Sequence, residues 1–303
     1  MKSETFEVAR VGYAIPVRRW SSEGVPRVSV QIAHGLAEHG ARYERLAFAL
    51  TGAGYVVTAS DHRGHGPNCA PADLGFFSKT AGWRECLDDL AAVHRRIAGD
   101  FPEIPRVFLG HSMGSFMGQT FIAEWGAELA GAVLSGTSGP PAATLPIGRL
   151  IAGFERWRLG PRGKSPVVQT LLFGELNKGF KPARTPFDWL SRDPAEVEKY
   201  IADPYCGFPV TTRLALDLVG ALAGLASPET AARIPKALPI YIVSGAQDPL
   251  GVRLQGLIDV YRAAALTRVT TKIYPDARHE TFNETNRDEV TADLVAWLET
   301  NVR

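Results

Sequence analysis

The feature that most constrains this chain is a serine set between two glycines directly after a short apolar run. Val107-Phe108-Leu109 leads into Gly110-His111-Ser112-Met113-Gly114, and apolar residues then recur at helical spacing, at Phe116, Met117, Phe121 and Ile122. A buried strand must therefore turn abruptly into a helix, and the two glycines give that turn room. The pattern predicts a nucleophile elbow, which exposes the Ser112 hydroxyl and leaves the backbone N–H of Met113 able to donate to a developing oxyanion.

Short apolar segments alternate with helical patterns along most of the chain. The first two predicted strands, 6–9 and 13–17, lie on either side of a glycine-containing turn and are expected to pair. Further strands are predicted at 28–33, 56–59, 106–109, 131–135, 240–243 and 269–274, and helices at about 43–53, 85–97, 257–264 and 290–298. This alternation predicts an α/β fold with a mostly parallel sheet covered by helices on both faces.

The alternation stops between residues 139 and 239. We therefore expect a core domain formed by 1–138 and 240–303 and a helical cap, or lid, formed by 139–239 over the carboxyl edge of the sheet. Two apolar stripes at helical spacing fall in this insertion, Ile147, Leu150, Ile151, Phe154 and Trp157 in one and Leu214, Leu218, Leu222 and Leu225 in the other. We expect most of these side chains to pack on the core and the remainder to line a pocket.

The composition excludes several classes of function. A net charge of +1 over 303 residues gives no argument for nucleic-acid binding. No apolar stretch is long enough to cross a membrane, and the first residues lack the apolar core of a signal peptide. Cys69, Cys86 and Cys206 are too scattered to indicate a disulfide framework or a zinc site, so we expect a cytoplasmic protein.

A serine hydroxyl needs a base, and the base needs an acid to orient it. After an elbow of this kind the acid and the histidine are expected in that order along the chain. His279 is the only histidine after residue 111, which makes it the candidate base. The candidate acid is Asp248, which follows the predicted strand 240–243; Asp276 is an alternative, although Pro275-Asp276 is typical of a turn. Residues 135–145 contain no acid, so they cannot supply one.

The loop after the strand 28–33 is the expected source of a second oxyanion donor, and the Leu36 N–H would partner that of Met113. Four histidines fall in this loop and in the next one, at positions 34, 39, 62 and 65. The spacing of His62 and His65 does not place both rings on one helix or hairpin, and no cysteine or carboxylate set completes four ligands, so we expect no metal site. We interpret the histidines as braces for these loops, with Asp61 holding the turn after its strand.

These motifs together resemble one family. They are His34-Gly35-Leu36-Ala37-Glu38-His39 with Arg42-Tyr43, Asp61-His62-Arg63-Gly64-His65-Gly66, Gly110-His111-Ser112-Met113-Gly114-Ser115, Asp248 and His279. The resemblance is to the monoacylglycerol lipase / lysophospholipase group of α/β-hydrolases, which is sometimes grouped with the S33 serine aminopeptidases, and it spans nearly the whole chain. The cap segments 187–193, 203–204 and 206–208 are similar to those of bacterial members of this group.

This resemblance implies an α/β-hydrolase fold with an eight-stranded, mostly parallel sheet, a helical cap, no cofactor and hydrolysis of carboxylic esters. It also implies that Ser112 is the nucleophile, His279 the base, Asp248 the orienting acid, and Leu36 and Met113 the oxyanion pair. The expected substrate is a small acyl ester. The apolar helices of the cap would permit presentation by a membrane or micelle, and core packing explains them equally. No stable protein partner is implied.

Two other functions stay open at this point. An aminopeptidase would need an acidic anchor for the substrate ammonium, and the cap offers Glu175, Asp188, Asp193 and Glu196, although acids on a solvated face are common. A non-catalytic binding protein on the same scaffold would keep the pocket without using the three catalytic side chains. Comparing ester hydrolysis by the wild type and by Ser112→Ala separates this possibility from an enzyme.

Overall fold

A computed structural model of the chain describes residues 2–302. Eight strands in this range form one sheet, in the spatial order β1-β2-β4-β3-β5-β6-β7-β8. The strands are β1 (Lys2–Arg10), β2 (Tyr13–Ser21), β3 (Val28–Ala33), β4 (Tyr55–Ser60), β5 (Arg106–His111), β6 (Gly131–Ser135), β7 (Ile240–Gly245) and β8 (Val269–Tyr274). Pairing is antiparallel between β1 and β2 and between β2 and β4, and parallel in the rest of the sheet. The predicted strands and the mostly parallel sheet are confirmed.

Helices cover both faces of this sheet and also form the insertion between β6 and β7. The α-helices within residues 2–302 are α1 (Glu44–Gly52), α2 (Gly82–Asp100), α3 (Met113–Trp125), α4 (Leu145–Leu159), α5 (Pro166–Phe173), α6 (Pro194–Ala202), α7 (Thr212–Leu222), α8 (Pro228–Arg233), α9 (Leu254–Ala263) and α10 (Arg287–Asn301). Successive residues of β5 point to opposite faces: Val107 and Leu109 pack with α1 and α10, and Phe108 packs with α2 and α3. Because both faces are covered, β3, β4 and β7 are buried along their whole length.

The parallel part of the sheet brings three distant parts of the chain to one edge. β5 and β7 both pair with β6, and β8 pairs with β7, all in the same direction. The residues that follow these strands therefore meet at the carboxyl edge. Ser112 follows β5, Asp248 follows β7, and His279 follows β8.

The insertion between β6 and β7 carries α4 to α8, and its two apolar stripes have different environments. Leu214, Leu218 and Leu225 are buried in a cluster with α2 and α3, as expected. The prediction was wrong for α4, where Leu150 is 74% and Trp157 is 80% exposed. This helix packs against α5 and α7 through its other face, which carries Gly148, Ala152 and Glu155, so its apolar stripe is left outside.

The end of the insertion packs on the core of the molecule. Ala231 of α8 and Ile234 share a buried cluster with Ile240 of β7 and Leu257 of α9. Within residues 2–302 no helix has the length and the apolar character required to span a bilayer.

Candidate active site

The turn between β5 and α3 has the strained geometry of an elbow. Ser112 has φ +51° and ψ −121°, a conformation that is unfavourable for a residue with a Cβ atom. A Cβ atom at Gly110 would clash with the carbonyl of Gly114, and one at Gly114 would clash with the carbonyl of Ala33. Met113 is the first residue of α3, where a backbone N–H has no acceptor within the helix. The two glycines are thus a steric requirement of the turn.

His279 and Asp248 form a buried pair. The Nδ1 atom of His279 lies 3.0 Å from each carboxylate oxygen of Asp248. The carboxylate is itself held, because Oδ1 accepts the backbone N–H of Leu250 at 2.9 Å and Oδ2 accepts the Ser244 hydroxyl at 3.3 Å. Asp276, the alternative acid, has φ +59° in the turn before His279. The structure therefore pairs His279 with Asp248.

This pairing changes the pKa of both groups. Burial acts to lower the pKa of the His279 imidazole, but the charge of Asp248 and its hydrogen bond outweigh burial, so the pKa is raised above its ordinary value. Burial acts to raise the pKa of Asp248, and interaction with His279 outweighs it in turn, so that pKa is lowered. The pair is thus arranged to stabilise an imidazolium next to a carboxylate.

Ser112 and His279 line the same cavity without a hydrogen bond between them. The Nε2 atom of His279 has no hydrogen-bond partner among the described residues. Such bonds are often long in a hydrolase without substrate and shorten when substrate binds. The structure thus joins Asp248 to His279 and places Ser112 on the same cavity.

The loop after β3 leaves one amide unoccupied. The N–H groups on either side of Leu36 are both engaged, that of Gly35 by Glu38 Oε1 at 2.5 Å and that of Ala37 by His65 Nε2 at 3.2 Å. Within residues 2–302 the N–H of Leu36 has no protein acceptor. This amide is therefore available to a ligand in the cavity, whose wall Leu36 forms in part.

Three of the four loop histidines brace the two loops, as expected. His34 Nε2 accepts the backbone N–H of His62 at 3.0 Å, and His62 Nε2 lies 3.1 Å from the carbonyl of His34. Burial lowers the pKa of His62 to about 4 and that of His65 to about 3, so the rings are neutral. Asp61 holds the far end of the loop, because its Oδ1 accepts the N–H of Gly40 at 2.8 Å.

The fourth histidine has a different partner. His39 Nε2 lies 2.8 Å from Oδ2 of Asp203, which belongs to the insertion. His39, Asp203 and Cys206 each bring one donor atom within 4.8 Å of the others, so these residues could hold a metal ion. Burial raises the pKa of the Cys206 thiol, which opposes this because a metal binds the thiolate.

A cavity of about 470 Å³ lies between the sheet edge and the insertion. The core contributes Leu36, Ser112 and His279 to its wall, together with two carboxylates, Glu38 and Glu280. The apolar part of the wall comes largely from the insertion, which contributes Phe173, Pro186, Phe187, Trp189, Leu190 and Phe208 together with polar side chains such as Gln169 and Asn177. This volume and lining are typical of a site for a small apolar ligand.

The residues that line the cavity from the insertion differ from those expected, because neither apolar stripe contributes to the wall. Most of the lining comes from α5 and from the irregular segment 186–190. Phe187, Trp189 and Phe208 lie in the segments that carried the family resemblance, and this was their one signal in the sequence. No periodic pattern marks them, because they lie outside helices and strands.

Comparisons with known proteins identify the family of this chain. A family model described as serine aminopeptidase, S33, matches residues 24–286. The monoacylglycerol lipase of Mycolicibacterium smegmatis is 32% identical over 287 residues, which cover 92% of this chain and 90% of the relative. The human monoglyceride lipase is 28% identical over 276 residues, which cover 88% of this chain and 80% of the relative.

A solved structure gives the same result at the level of the fold. The carboxyl esterase from Bacillus coagulans, solved in complex with glycerol, superimposes with a TM-score of 0.90 at 27% identity, and the match covers 100% of both chains. The family match spans the elbow, the acid and the base alike. The chain therefore belongs to the serine aminopeptidase S33 family and has the α/β-hydrolase fold that its eight-stranded sheet and serine elbow indicated.

Proposed function

We propose that this protein hydrolyses carboxylic esters of lipid-like molecules, of the monoacylglycerol or lysophospholipid kind, through an acyl-enzyme on Ser112. Its relatives, a monoacylglycerol lipase and a carboxyl esterase among them, are hydrolases of ester substrates. The observation that carries the serine mechanism is the buried Asp248–His279 pair at 3.0 Å, with His279 and Ser112 on one cavity.

The reaction follows from the positions of these groups. His279 Nε2 takes the Ser112 hydroxyl proton as the serine oxygen attacks the acyl carbon, and the backbone N–H groups of Leu36 and Met113 stabilise the oxyanion. Asp248 stabilises the imidazolium. His279 then gives its proton to the departing alcohol as the C–O bond breaks, and a water molecule releases the acid from the acyl-enzyme by the same steps.

The wall of the cavity favours a substrate that has an apolar acyl chain and no charged group at the end that lies near the core. The apolar part of the wall, which comes largely from the insertion, is mostly aromatic. The two wall carboxylates are both bonded to Arg42. The distance is 2.6 Å for Glu38, and it is 2.7 and 2.8 Å for the two oxygens of Glu280. An aminopeptidase would need a carboxylate free for an ammonium group. The four cap acids considered for that role, Glu175, Asp188, Asp193 and Glu196, do not belong to the cavity wall.

The test is hydrolysis of p-nitrophenyl esters of increasing chain length, followed by monoacylglycerols and lysophospholipids. We expect Ser112→Ala to lower kcat on the order of 10⁶-fold, as loss of the serine does in other triad hydrolases. Ser227→Ala, at the N-terminus of α8 and outside the cavity wall, is the matched control and should keep full activity. A fluorophosphonate should add covalently to the wild type but not to Ser112→Ala. Equal rates in wild type and Ser112→Ala would exclude the proposed nucleophile.

We further propose that the insertion 139–239 is a lid and that the exposed stripe of α4 contacts the lipid surface that presents the substrate. Four exposed apolar side chains of this stripe lie along one face of the helix. Leu150 and Trp157 are the most exposed, and Ile147 and Phe154 are the other two. Exposed apolar side chains in one row are typical of a surface that binds a membrane or a partner. α4 begins ten residues after β6 ends and packs against α5, which contributes Gln169, Thr170 and Phe173 to the cavity wall.

A double substitution tests this contact. Leu150→Ser with Trp157→Ser should reduce sedimentation with phosphatidylcholine vesicles several-fold and lower hydrolysis of monoacylglycerol held in them, because less apolar surface is available to the lipid. Hydrolysis of monomeric p-nitrophenyl butyrate should stay unchanged. Val11→Ser with Val25→Ser is the control, since both valines are similarly exposed but lie elsewhere. Equal losses in the two double variants would contradict a specific role of α4.

We also propose that catalysis takes place in the cytoplasm and needs neither a metal nor an organic cofactor. The three cysteines are free, which fits a reducing compartment. Apart from the attacking water molecule, each step above uses only side chains and backbone amides of this chain. Dialysis against EDTA should therefore leave the hydrolysis of p-nitrophenyl esters unchanged, and a loss that zinc restores would contradict this proposal.

A further inference from the structure

Three charged side chains form a buried cluster at the cavity wall, to which Glu38 and Glu280 belong. Arg42 Nη1 lies 2.6 Å from Glu38 Oε2 and 2.7 Å from Glu280 Oε1, and Arg42 Nη2 lies 2.8 Å from Glu280 Oε2. The three side chains are between 4% and 11% exposed. Ion pairs at this depth are costly to desolvate and need close geometry, which this cluster has. The reaction described above assigns it no task.

Each carboxylate of the cluster is tied to one half of the active site. Glu38 Oε1 accepts the N–H of Gly35, the residue before the oxyanion donor Leu36, at 2.5 Å. Glu280 follows His279 directly in the chain. Arg42 bonds both carboxylates and therefore links the loop that carries the oxyanion donor to the loop that carries the base.

The surroundings leave the cluster little freedom. The Tyr43 hydroxyl donates to Glu38 Oε1 at 2.9 Å, and the Arg42 guanidinium lies 4.8 Å from the centre of the Tyr200 ring. A Cβ atom at Gly35 would lie 2.7 Å from Glu38 Oε1 and 3.2 Å from Ser112 Cβ. The oxyanion loop is therefore held between the Glu38 carboxylate and the serine, and a displaced carboxylate would disturb the space beside the nucleophile.

The cluster also adds a charge near the base. Burial acts to raise the pKa of Glu280, but Arg42 outweighs it and holds that pKa at about 2, so Glu280 is ionised. Two carboxylates and one guanidinium leave one negative charge uncompensated. Burial acts to lower the pKa of His279, and Glu280 and Glu38 act in the opposite direction together with Asp248, the larger influence.

We propose that Glu38 and Arg42 are positioning residues for ester hydrolysis: through Glu280 they hold the oxyanion loop and the His279 loop in one fixed arrangement around the acyl carbonyl. The inference rests on the proposed function, since it assigns Leu36 and His279 their roles there. It adds that one guanidinium, that of Arg42, connects the oxyanion loop to the His279 loop. Neither residue is required to touch the reacting atoms.

Glu38→Gln is the decisive variant, because it keeps the size of the side chain and an acceptor for Gly35 but removes the charge that binds Arg42. We expect kcat for a p-nitrophenyl ester to fall about 10²-fold, the cost of a misplaced catalytic geometry, with KM changed less than about twofold. The acid limb of the kcat/KM profile should move to lower pH, because one negative charge near His279 is lost. Asp217→Asn, which breaks the partly buried pair with Arg213 outside the cavity wall, is the matched control and should change neither quantity.

The outcomes separate this inference from the function on which it rests. The inference is overturned if Glu38→Gln keeps the wild-type kcat and the acid limb of its kcat/KM profile does not move. It is also overturned if only KM changes, or if kcat falls no more than in Asp217→Asn. If Ser112→Ala remains active, the proposed function itself fails. Thermal unfolding establishes that Glu38→Gln is folded. Should it not fold, Arg42→Lys decides by the same comparison, because an ammonium keeps the charge but cannot bond both carboxylates in the planar geometry of a guanidinium; full kcat in that variant would equally overturn the inference.

Discussion

At the scale of single residues, the His279 imidazole has one nitrogen fixed and one free. Asp248 holds Nδ1, so the neutral imidazole carries its proton on Nδ1 and none on Nε2. That Nε2 has no hydrogen-bond partner within the described part of the chain, although it is buried. An unpaired buried acceptor is costly, so the site gains stability when the serine hydroxyl turns toward it or a ligand donates to it.

The pH dependence of the wild type follows from the same residue. In the proposed mechanism His279 accepts the serine proton only when neutral. Burial acts to lower its pKa, but Asp248, together with Glu280 and Glu38, outweighs burial and raises that pKa above the ordinary value of 6.5. Activity should therefore be lost as pH falls through a midpoint above 6.5. Initial rates of ester hydrolysis in a pH-stat measure kcat/KM across this range. A midpoint below the ordinary histidine value, or a flat profile, would contradict the assignment.

At the scale of elements, the strand–turn–helix unit around Ser112 is decided by close backbone contacts. Gly114, the second residue of α3, lies against the carbonyl of Ala33 at the end of β3. The helix can approach the sheet this closely because a glycine stands there. The strained Ser112 conformation depends on that approach.

Gly114→Ala should therefore destabilise the protein by at least about 3 kcal/mol and abolish activity, because the new methyl group meets a backbone that cannot move aside. Gly153→Ala is the matched control, since a Cβ atom there has nothing within 4 Å and the position is helical. It should raise the free energy of unfolding by about 0.5–1 kcal/mol. Urea unfolding followed by circular dichroism measures both. Equal stability of the two variants would show that the turn does not need its glycine.

At the scale of the whole molecule, the insertion is hydrogen-bonded to the loop that carries His279. The carbonyl of Leu190 accepts the N–H of Glu280 at 2.8 Å, and that of Trp189 accepts the N–H of His279 at 3.3 Å. Glu284, which is fully buried, accepts the N–H of Arg278 at 2.8 Å and binds Arg192 through Nε at 2.9 Å. The segment 189–192 is thus fixed to the base, and a lid movement would have to involve the part of the insertion before it.

Removal of Glu284 tests this connection. Glu284→Ala removes the acceptor of Arg192 Nε and of the Arg278 amide, while the Arg192 guanidinium keeps its hydrogen bond to Asn286. Because Arg192 is 29% exposed, the loss should be smaller than that of a fully buried pair, about 2–3 kcal/mol. Glu299→Ala removes a carboxylate from an exposed pair with Arg27 and should cost less than about 1 kcal/mol. The free energy of unfolding in urea compares them. Similar small losses in both variants would mean that the insertion is not held to the core through Glu284.

The fold could be read from the sequence to a large extent. Central strands such as β5 and β7 are buried on both faces, so each carries an unbroken apolar run, Val107-Phe108-Leu109 in one and Ile240-Tyr241-Ile242-Val243 in the other. The helical stripe of α7 likewise predicted its buried face. The stripe of α4 did not, because a period identifies an apolar face but not the surface against which that face packs. The neighbours of α4 meet its small residues instead.

The sequence by itself determined the elbow, the order of Ser112, Asp248 and His279, and the mostly parallel sheet, because short-range sterics and apolar periodicity govern these. Only the tertiary structure decided the wall of the cavity, the pairing of His39 with Asp203, and the link between the two active-site loops. Arg42 and Glu280 are 238 residues apart in the chain. No local pattern encodes such a contact, since it exists only when β3 and β8 have been brought to the same edge of one sheet.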